Sequence, residues 1–242
     1  MRGQVNQGKK IAVSEMVRVG IWAVGRLSQD DREGMERLYR EYYEGANEGD
    51  FARDLAEKDW AIVLRDAEGV RGFSTMKLVR VEETNVLFSG DTVVDEACRS
   101  QTGLAGAFGH VMRHLAETGV EDPHWFLICK GARTYRFLPT FFRRYVPGPR
   151  EDAELAERLR CVASAMYPRE YDPATGVLCF GAGKDRLKGD ALRMDRESVR
   201  FRALNPDWAR GDELCCMAPL ALSNLNRLGE RVIADTNPKW HL

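Results

Sequence analysis

An α+β fold is predicted: a mixed, mostly antiparallel central sheet flanked by helices, with a C-terminal extension. Three features of the sequence predict it. The extended segments Trp60 to Arg65, Val70 to Glu82 and the strand entered at Val86 follow one another through short turns, as an antiparallel meander does. The last of them runs through Cys98-Arg99-Ser100-Gln101-Thr102-Gly103 into apolar residues at helical spacing, Leu104, Ala107, Phe108, Val111, Met112 and Leu115. A nearly continuous apolar run, His124 to Lys130, then suits a strand buried on both faces. The intervening helix makes it a parallel neighbour of the Val86 strand.

The other elements follow in order. Val17 to Val24 is the first strand, and Ser28 or Asp30 can cap the helix after it. That helix spans about Asp31 to Ala46, with Met35, Leu38, Tyr39, Tyr42 and Tyr43 on its apolar side. A shorter helix near Asp50 to Lys58 carries Phe51 and Leu55. A helix from about Arg133 to Tyr145 follows the His124 strand. Pro139 kinks it or marks its start, and Pro147-Gly148-Pro149 stops it. Glu151 to Met166 is amphipathic, with Leu155, Leu159, Val162 and Met166 on one face. Val177 to Phe180 and Glu213 to Met217 are late strands, and Arg196 to Leu204 is a helix. Lys184 to Arg193 is polar and basic, and Pro206 to Asp212 is a turn-rich loop. Residues 1–16 are expected to be a mobile arm. Residues 17–242 are expected to form a single domain, with a core over about 17–150 and late elements over 151–242.

Composition narrows the function. The chain has 242 residues, 44% of them hydrophobic, so it can bury a sizeable core. A net charge of -1 argues against a broad nucleic-acid footprint. No run reaches the apolar length that spans a membrane, and the N-terminal residues lack the apolar core of a signal peptide. The six cysteines include no CxxC pair, which points to buried thiols in a reducing cytoplasm. Cys215 and Cys216 fall on opposite faces of a strand and do not suit joint metal ligation. His110 and His114 share a helix face, but no HExxH glutamate accompanies them, so no metal is expected.

The Val86 to Gly119 stretch carries the chemistry. At the start of a helix the first four N–H groups have no partner within it, and the helix dipole adds positive potential. Such an end seats a phosphate or pyrophosphate. Gly103, Ala105 and Gly106 are small enough for a ligand to approach the backbone, and Arg99 adds a charge beside it. The alternative is an ordinary strand-turn-helix unit that binds nothing.

This order of elements, with a pyrophosphate-type turn after the fourth strand, resembles the GCN5-related N-acetyltransferase (GNAT) superfamily. Gly103-Leu104-Ala105 matches the second half of the family's Arg/Gln-x-x-Gly-x-Gly/Ala turn. The first position falls on Ser100, with Arg99 and Gln101 on either side. Thr140-Phe141-Phe142-Arg143-Arg144-Tyr145-Val146-Pro147 is similar to the family's late helix ending, with Phe142 where a general-acid tyrosine is frequent.

The resemblance implies an acyltransferase that uses acetyl-CoA or another acyl-CoA, held by Val93, Val94, Arg99, Ser100, Gln101, Thr102, Gly103, Leu104 and Ala105. A backbone amide near Asp91 to Val94 would stabilise the oxyanion. Glu96, Asp95, Asp91 and His124 are candidate bases, and Tyr135 and Tyr145 are the nearby tyrosines. The acceptor would be a small amine or an amino-acid-like molecule. Arg133, Arg136, Arg143 and Arg144 could hold the adenosine phosphate or an acidic acyl carrier protein, or be a solvated face paired with acids. Phe137, Leu138, Phe141 and Phe142 could accept an acyl chain or be plain core. Two alternatives stand beside a CoA-dependent enzyme. One is a carrier-protein-dependent N-acyl amino acid or homoserine lactone-type synthase. The other is a GNAT fold that has lost catalysis and serves as a binding or regulatory module.

Overall fold

The computed structural model describes residues 17–45, 49–99, 102–180, 186–187 and 195–242. β1 (Arg18–Ala23) leads to α1 (Gln29–Tyr42). Ser28 and Asp31 close the start of α1 reciprocally: each side chain accepts the other's N–H at 3.2 Å. β2 (Tyr43–Glu44) and α2 (Asp50–Ala56) follow. The meander is β3 (Trp60–Asp66), β4 (Gly69–Val81) and β5 (Thr84–Val94). Next come α3 (Gly103–Glu117), β6 (His124–Cys129), α4 (Ala132–Phe141) and α5 (Ala153–Met166). The late elements are β7 (Tyr171–Asp172), β8 (Val177–Leu178), β9 (Arg186–Leu187), α6 (Arg196–Leu204), β10 (Glu213–Pro219), α7 (Arg227–Ala234) and β11 (Lys239–His241).

Nine strands form one sheet in the order β11-β1-β3-β4-β5-β6-β10-β8-β7, and β2 pairs with β9 apart from it. Within the large sheet, β1–β11 and β5–β6 are parallel and every other neighbouring pair is antiparallel. The expected mixed, mostly antiparallel sheet is therefore present, with the β5–β6 pair joined through α3 as the sequence implies.

Alternation along the strands sorts side chains to two faces. Ile62, Leu87, Trp125, Leu127 and Cys216 enter one continuous core shared with α3, α4, α6 and α7. The opposite face carries two separate clusters. Val63, Phe73 and Val93 pack under α1 and α2, while Phe88, Phe126 and Cys215 pack with α5. The break between these clusters falls within β5, between Phe88 and Val93. Cys215 and Cys216 do fall on opposite faces, and burial raises both thiol pKa values, which keeps them protonated and inert.

The end of α4 departs from expectation. The helix expected to reach Tyr145 ends at Phe141, with Pro139 inside it. Phe142 is extended and bridges Leu225, and Val146 bridges Met217, so tertiary pairing takes the chain out of the helix. The segment after Leu225 forms α7 and β11. The basic stretch 184–193 lies outside the described residues apart from the β9 backbone.

α7 also explains a glycine in α3. A Cβ at Gly106 would sit 1.9 Å from Thr236 Oγ1 and 2.8 Å from the Val232 carbonyl oxygen. The missing side chain thus serves close packing on α7, not the ligand approach expected from sequence. Gly106→Ala is expected to destabilise the protein by about 1–3 kcal/mol, the usual cost of overpacking, measurable as a lower urea midpoint at unchanged slope.

Candidate functional site

The site begins where β5 and β6 part. Their pairing runs from Val86–His124 to Ser89–Leu127, and no later β5 residue pairs with β6 among the described residues. The vertex is pinned by a buried bond: Trp125 Nε1–H donates to Ser89 Oγ at 2.7 Å. Just beyond it β5 bulges. Ser74 pairs with Thr92 and Met76 with Ser89, so Gly90 and Asp91 together oppose Thr75. A bulge bends its strand and re-aims backbone groups, here at the start of the wedge.

Past the bulge, Val93 and Val94 stay paired to β4. Arg99 folds back: its Nε–H donates to the Val94 carbonyl oxygen at 3.1 Å, and its guanidinium lies 5.0 Å from the Tyr42 ring centroid. The Tyr42 hydroxyl accepts the Glu96 N–H at 3.0 Å. Tyr42, expected as helix core, instead ties α1 to the end of β5.

α3 then begins at the N-cap Thr102, which makes no side-chain cap, and its first turn carries no acidic residue. The Gly106 N–H reaches the Thr102 carbonyl at 2.9 Å. The N–H groups of Gly103, Leu104 and Ala105 precede that first helical bond and have no acceptor within the helix. A Cβ at Gly103 would point toward Leu64 and Val19, at 3.4 and 3.8 Å, so space for a ligand is not what glycine provides there. Ser100 and Gln101 lie outside the described residues.

The structure therefore brings Asp91, Val93, Val94, Glu96, Arg99, Thr102, Gly103, Leu104 and Ala105 to one end of the β5–α3 unit. It does not bring His124 there. His124 pairs with Val86 at the closed end of the wedge. It is buried, which lowers its pKa, and Nδ1 lies 2.9 Å from the Asp122 carbonyl oxygen, where it donates. Tyr135 is fully buried and its hydroxyl donates to the Pro147 carbonyl oxygen at 2.9 Å, which spends the proton on structure. Tyr145 is buried in the same core. Burial raises the pKa of both tyrosines.

Other candidates take structural places. His110 Nε2 lies 2.7 Å from the Thr236 carbonyl oxygen, and His114 packs on Trp60 and Trp240. Arg136 pairs with Asp195 at 2.6 Å, Arg143 with Glu230 at 3.3 Å, and Arg144 with Asp152 at 2.6 Å. Phe137 meets Trp125 edge-on and Phe142 meets it at a tilt, and Phe137 also meets Phe108.

Sequence reasoning missed a polar seam on the face opposite α3. Lys58 has a side chain only 3% exposed, and its Nζ donates to the Asp54 carboxylate at 2.5 Å and the Asp54 carbonyl at 3.1 Å. It stands 5.8 Å from the Phe88 ring centroid, at the vertex. Beside it, Thr75 is fully buried and its hydroxyl has no hydrogen-bond partner among the described residues. On the other wall, Lys130 Nζ lies 3.9 Å from Glu213 Oε1 and 4.5 Å from the Tyr43 ring centroid. Burial, with the Glu213, Cys215 and Asp54 charges, raises the Tyr167 pKa. These groups come from separate stretches of chain, at Asp54 and Lys58, Thr75, Lys130, Tyr167 and Glu213. Only the isolated lysine after Leu55 and the glutamate opening an apolar strand signal them locally.

No protein-family profile matches the chain, and no curated protein sequence matches it. Solved structures similar to it include a GNAT family N-acetyltransferase from Escherichia coli in complex with CoA, at 21% identity and TM-score 0.38 over 52% of this chain and 68% of that one. An N-acyl amino acid synthase from uncultured soil microbes matches at 16% identity and TM-score 0.40, over 53% of this chain and 79% of that one. N-acetylglutamate synthase from Neisseria gonorrhoeae, complexed with coenzyme A and N-acetyl-glutamate, matches at 12% identity and TM-score 0.39, over 84% of this chain and 35% of that one.

Proposed function

We propose that this chain is a divergent GNAT-type acyltransferase that moves an acyl group from CoA to an amine. The observation that carries this reading is the wedge. A parallel strand pair opens beside a bulge and leads to the uncapped N-terminus of α3. An extended chain bearing amide groups, such as the pantetheine arm of CoA, can pair with an open strand edge. Its pyrophosphate would then reach the N–H groups of Gly103, Leu104 and Ala105, with Arg99 nearby.

In this reading the acyl carbonyl lies in the wedge and accepts a hydrogen bond from a backbone N–H in the Asp91 to Val94 stretch. That donor stabilises the oxyanion formed when the amine attacks the carbonyl carbon. The C–S bond then breaks, and the thiolate takes a proton as it leaves. Asp91, at the bulge, is the best placed of the carboxylates expected from sequence to receive the amine's proton. Glu96 is largely exposed, with 83% of its side chain open to solvent.

Calorimetric titration with CoA and acetyl-CoA tests this, and one-to-one micromolar binding is expected. Gly103→Asp puts a carboxylate at the α3 N-terminus, and circular dichroism checks that the variant keeps the fold. It is expected to weaken CoA binding by about 10–100-fold through charge repulsion. Unchanged affinity in that variant removes the seat. A wild-type protein that binds neither CoA nor acetyl-CoA directs the next test to an acylated carrier protein as donor.

A further inference from the structure

Lysine is rarely buried, because an ammonium removed from water is costly. The Lys58 side chain is 3% exposed, although its partner Asp54 is 46% exposed and the pair could have formed in solvent. Instead the lysine is drawn inward, and both of its ends are fixed. At the root, the neighbouring Asp59 bolts the chain to β4: its N–H donates to the Met76 carbonyl oxygen at 2.9 Å, and its carboxylate accepts the Leu78 N–H at 2.7 Å. At the tip, the ammonium donates to both the carboxylate and the carbonyl of Asp54. Between these anchors the stem lies against the bulge. From the point where a Gly90 Cβ would stand, Lys58 Cε is 2.7 Å away and Nζ 3.6 Å, so the methylene stem, rather than the charge, faces Gly90. Thr75 Oγ1, 2.6 Å from the same point, closes the contact from β4. Gly90 itself is half-buried, and it is the first β5 residue beyond the last pair with β6. A bulge interrupts the ladder that would hold its strand in shape. A backbone donor that must be aimed from such a place needs rigid support behind it.

We infer that Lys58 is a positioning residue: its anchored stem braces Gly90 from behind and keeps the backbone donor of the bulge aimed into the wedge. The inference rests on the acyltransferase reading and adds to it the support that the oxyanion donor needs. Asp54 acts one step further back, as the anchor that keeps the lysine in place.

The test uses the full chain and acetyl-CoA isotopically labelled at its thioester carbonyl, and it needs no acceptor. Infrared difference spectroscopy reads that carbonyl alone, and a hydrogen bond to it lowers its stretching frequency. The wild-type complex is expected to show the lowered frequency. Lys58→Ala removes the brace and should lose the downshift, while CoA affinity by calorimetry stays within about twofold of wild type. Asp54→Ala strands a buried cation, so the lysine turns out to solvent and the downshift is lost by a second route, through a change at a half-exposed residue. Lys58→Met keeps the stem without the charge and should retain most of the downshift. A merely structural lysine would move the urea midpoint and leave the carbonyl frequency alone. The inference is overturned if a CoA-binding wild-type protein shows no downshift, if Lys58→Ala or Asp54→Ala, folded by circular dichroism, keeps it in full, or if Lys58→Met loses it as completely as Lys58→Ala. Failure of the wild type to bind CoA or acetyl-CoA sinks the acyltransferase reading itself, and this inference with it.

Discussion

Trp125→Ala is expected to cost about 3–5 kcal/mol of stability, the range for removing a large buried aromatic side chain. Trp125 is 4% exposed and touches every element that shapes the wedge. Its ring centroid lies 4.4 Å from Phe108 of α3, 5.4 Å from Phe137 of α4 and 5.6 Å from Phe142 beyond it. Its Nε1–H pins Ser89 on β5. Truncation leaves a cavity among these rings and an unpaired buried hydroxyl. Trp125→Phe keeps most of the packing and loses only the donor, so its cost should fall to about 1–3 kcal/mol. Urea unfolding followed by circular dichroism separates the two. A loss below about 1 kcal/mol for Trp125→Ala, well outside the core-truncation range, means that the vertex is held by something other than this tryptophan.

The sheet was legible because its signals are local. The β3-β4-β5 meander shows as extended segments separated by short turns, and α3 as a clear helical period. Ser28 announced its cap. What failed depends on partners far along the chain. The end of α4 is set by bridges from Phe142 and Val146 to Leu225 and Met217, which no window of a dozen residues contains. Gly106 looked like a ligand glycine because its contact with Thr236 spans 130 positions of sequence. The charged seam was hidden for the same reason. Lys58 looks like a helix-end lysine and Glu213 like a strand-end glutamate, and both residue types are usually exposed there. Only the sheet order, which sets β10 beside β6, brings Glu213 to Lys130.

Gly90→Val is expected to separate the two halves of the site. Glycine is required at this position for space rather than for backbone freedom, since its φ is not positive. Any Cβ there would meet Thr75 Oγ1 at 2.6 Å and Lys58 Cε at 2.7 Å, both under normal contact distance. Lys58 is the softer of the two. Its long stem can swing out, so the fold survives at a cost of about 1–3 kcal/mol. The ammonium then leaves the vertex. Because the α3 N-terminus is untouched, CoA affinity should stay within about twofold of wild type, a change well under 1 kcal/mol. Acyl transfer to an amine should fall by about 10–100-fold, because the bulge that aims the backbone donor of the oxyanion is displaced. Parallel calorimetry and steady-state kinetics decide the matter. Equal losses in CoA affinity and acceptor use would mean that the bulge supports the donor site as well.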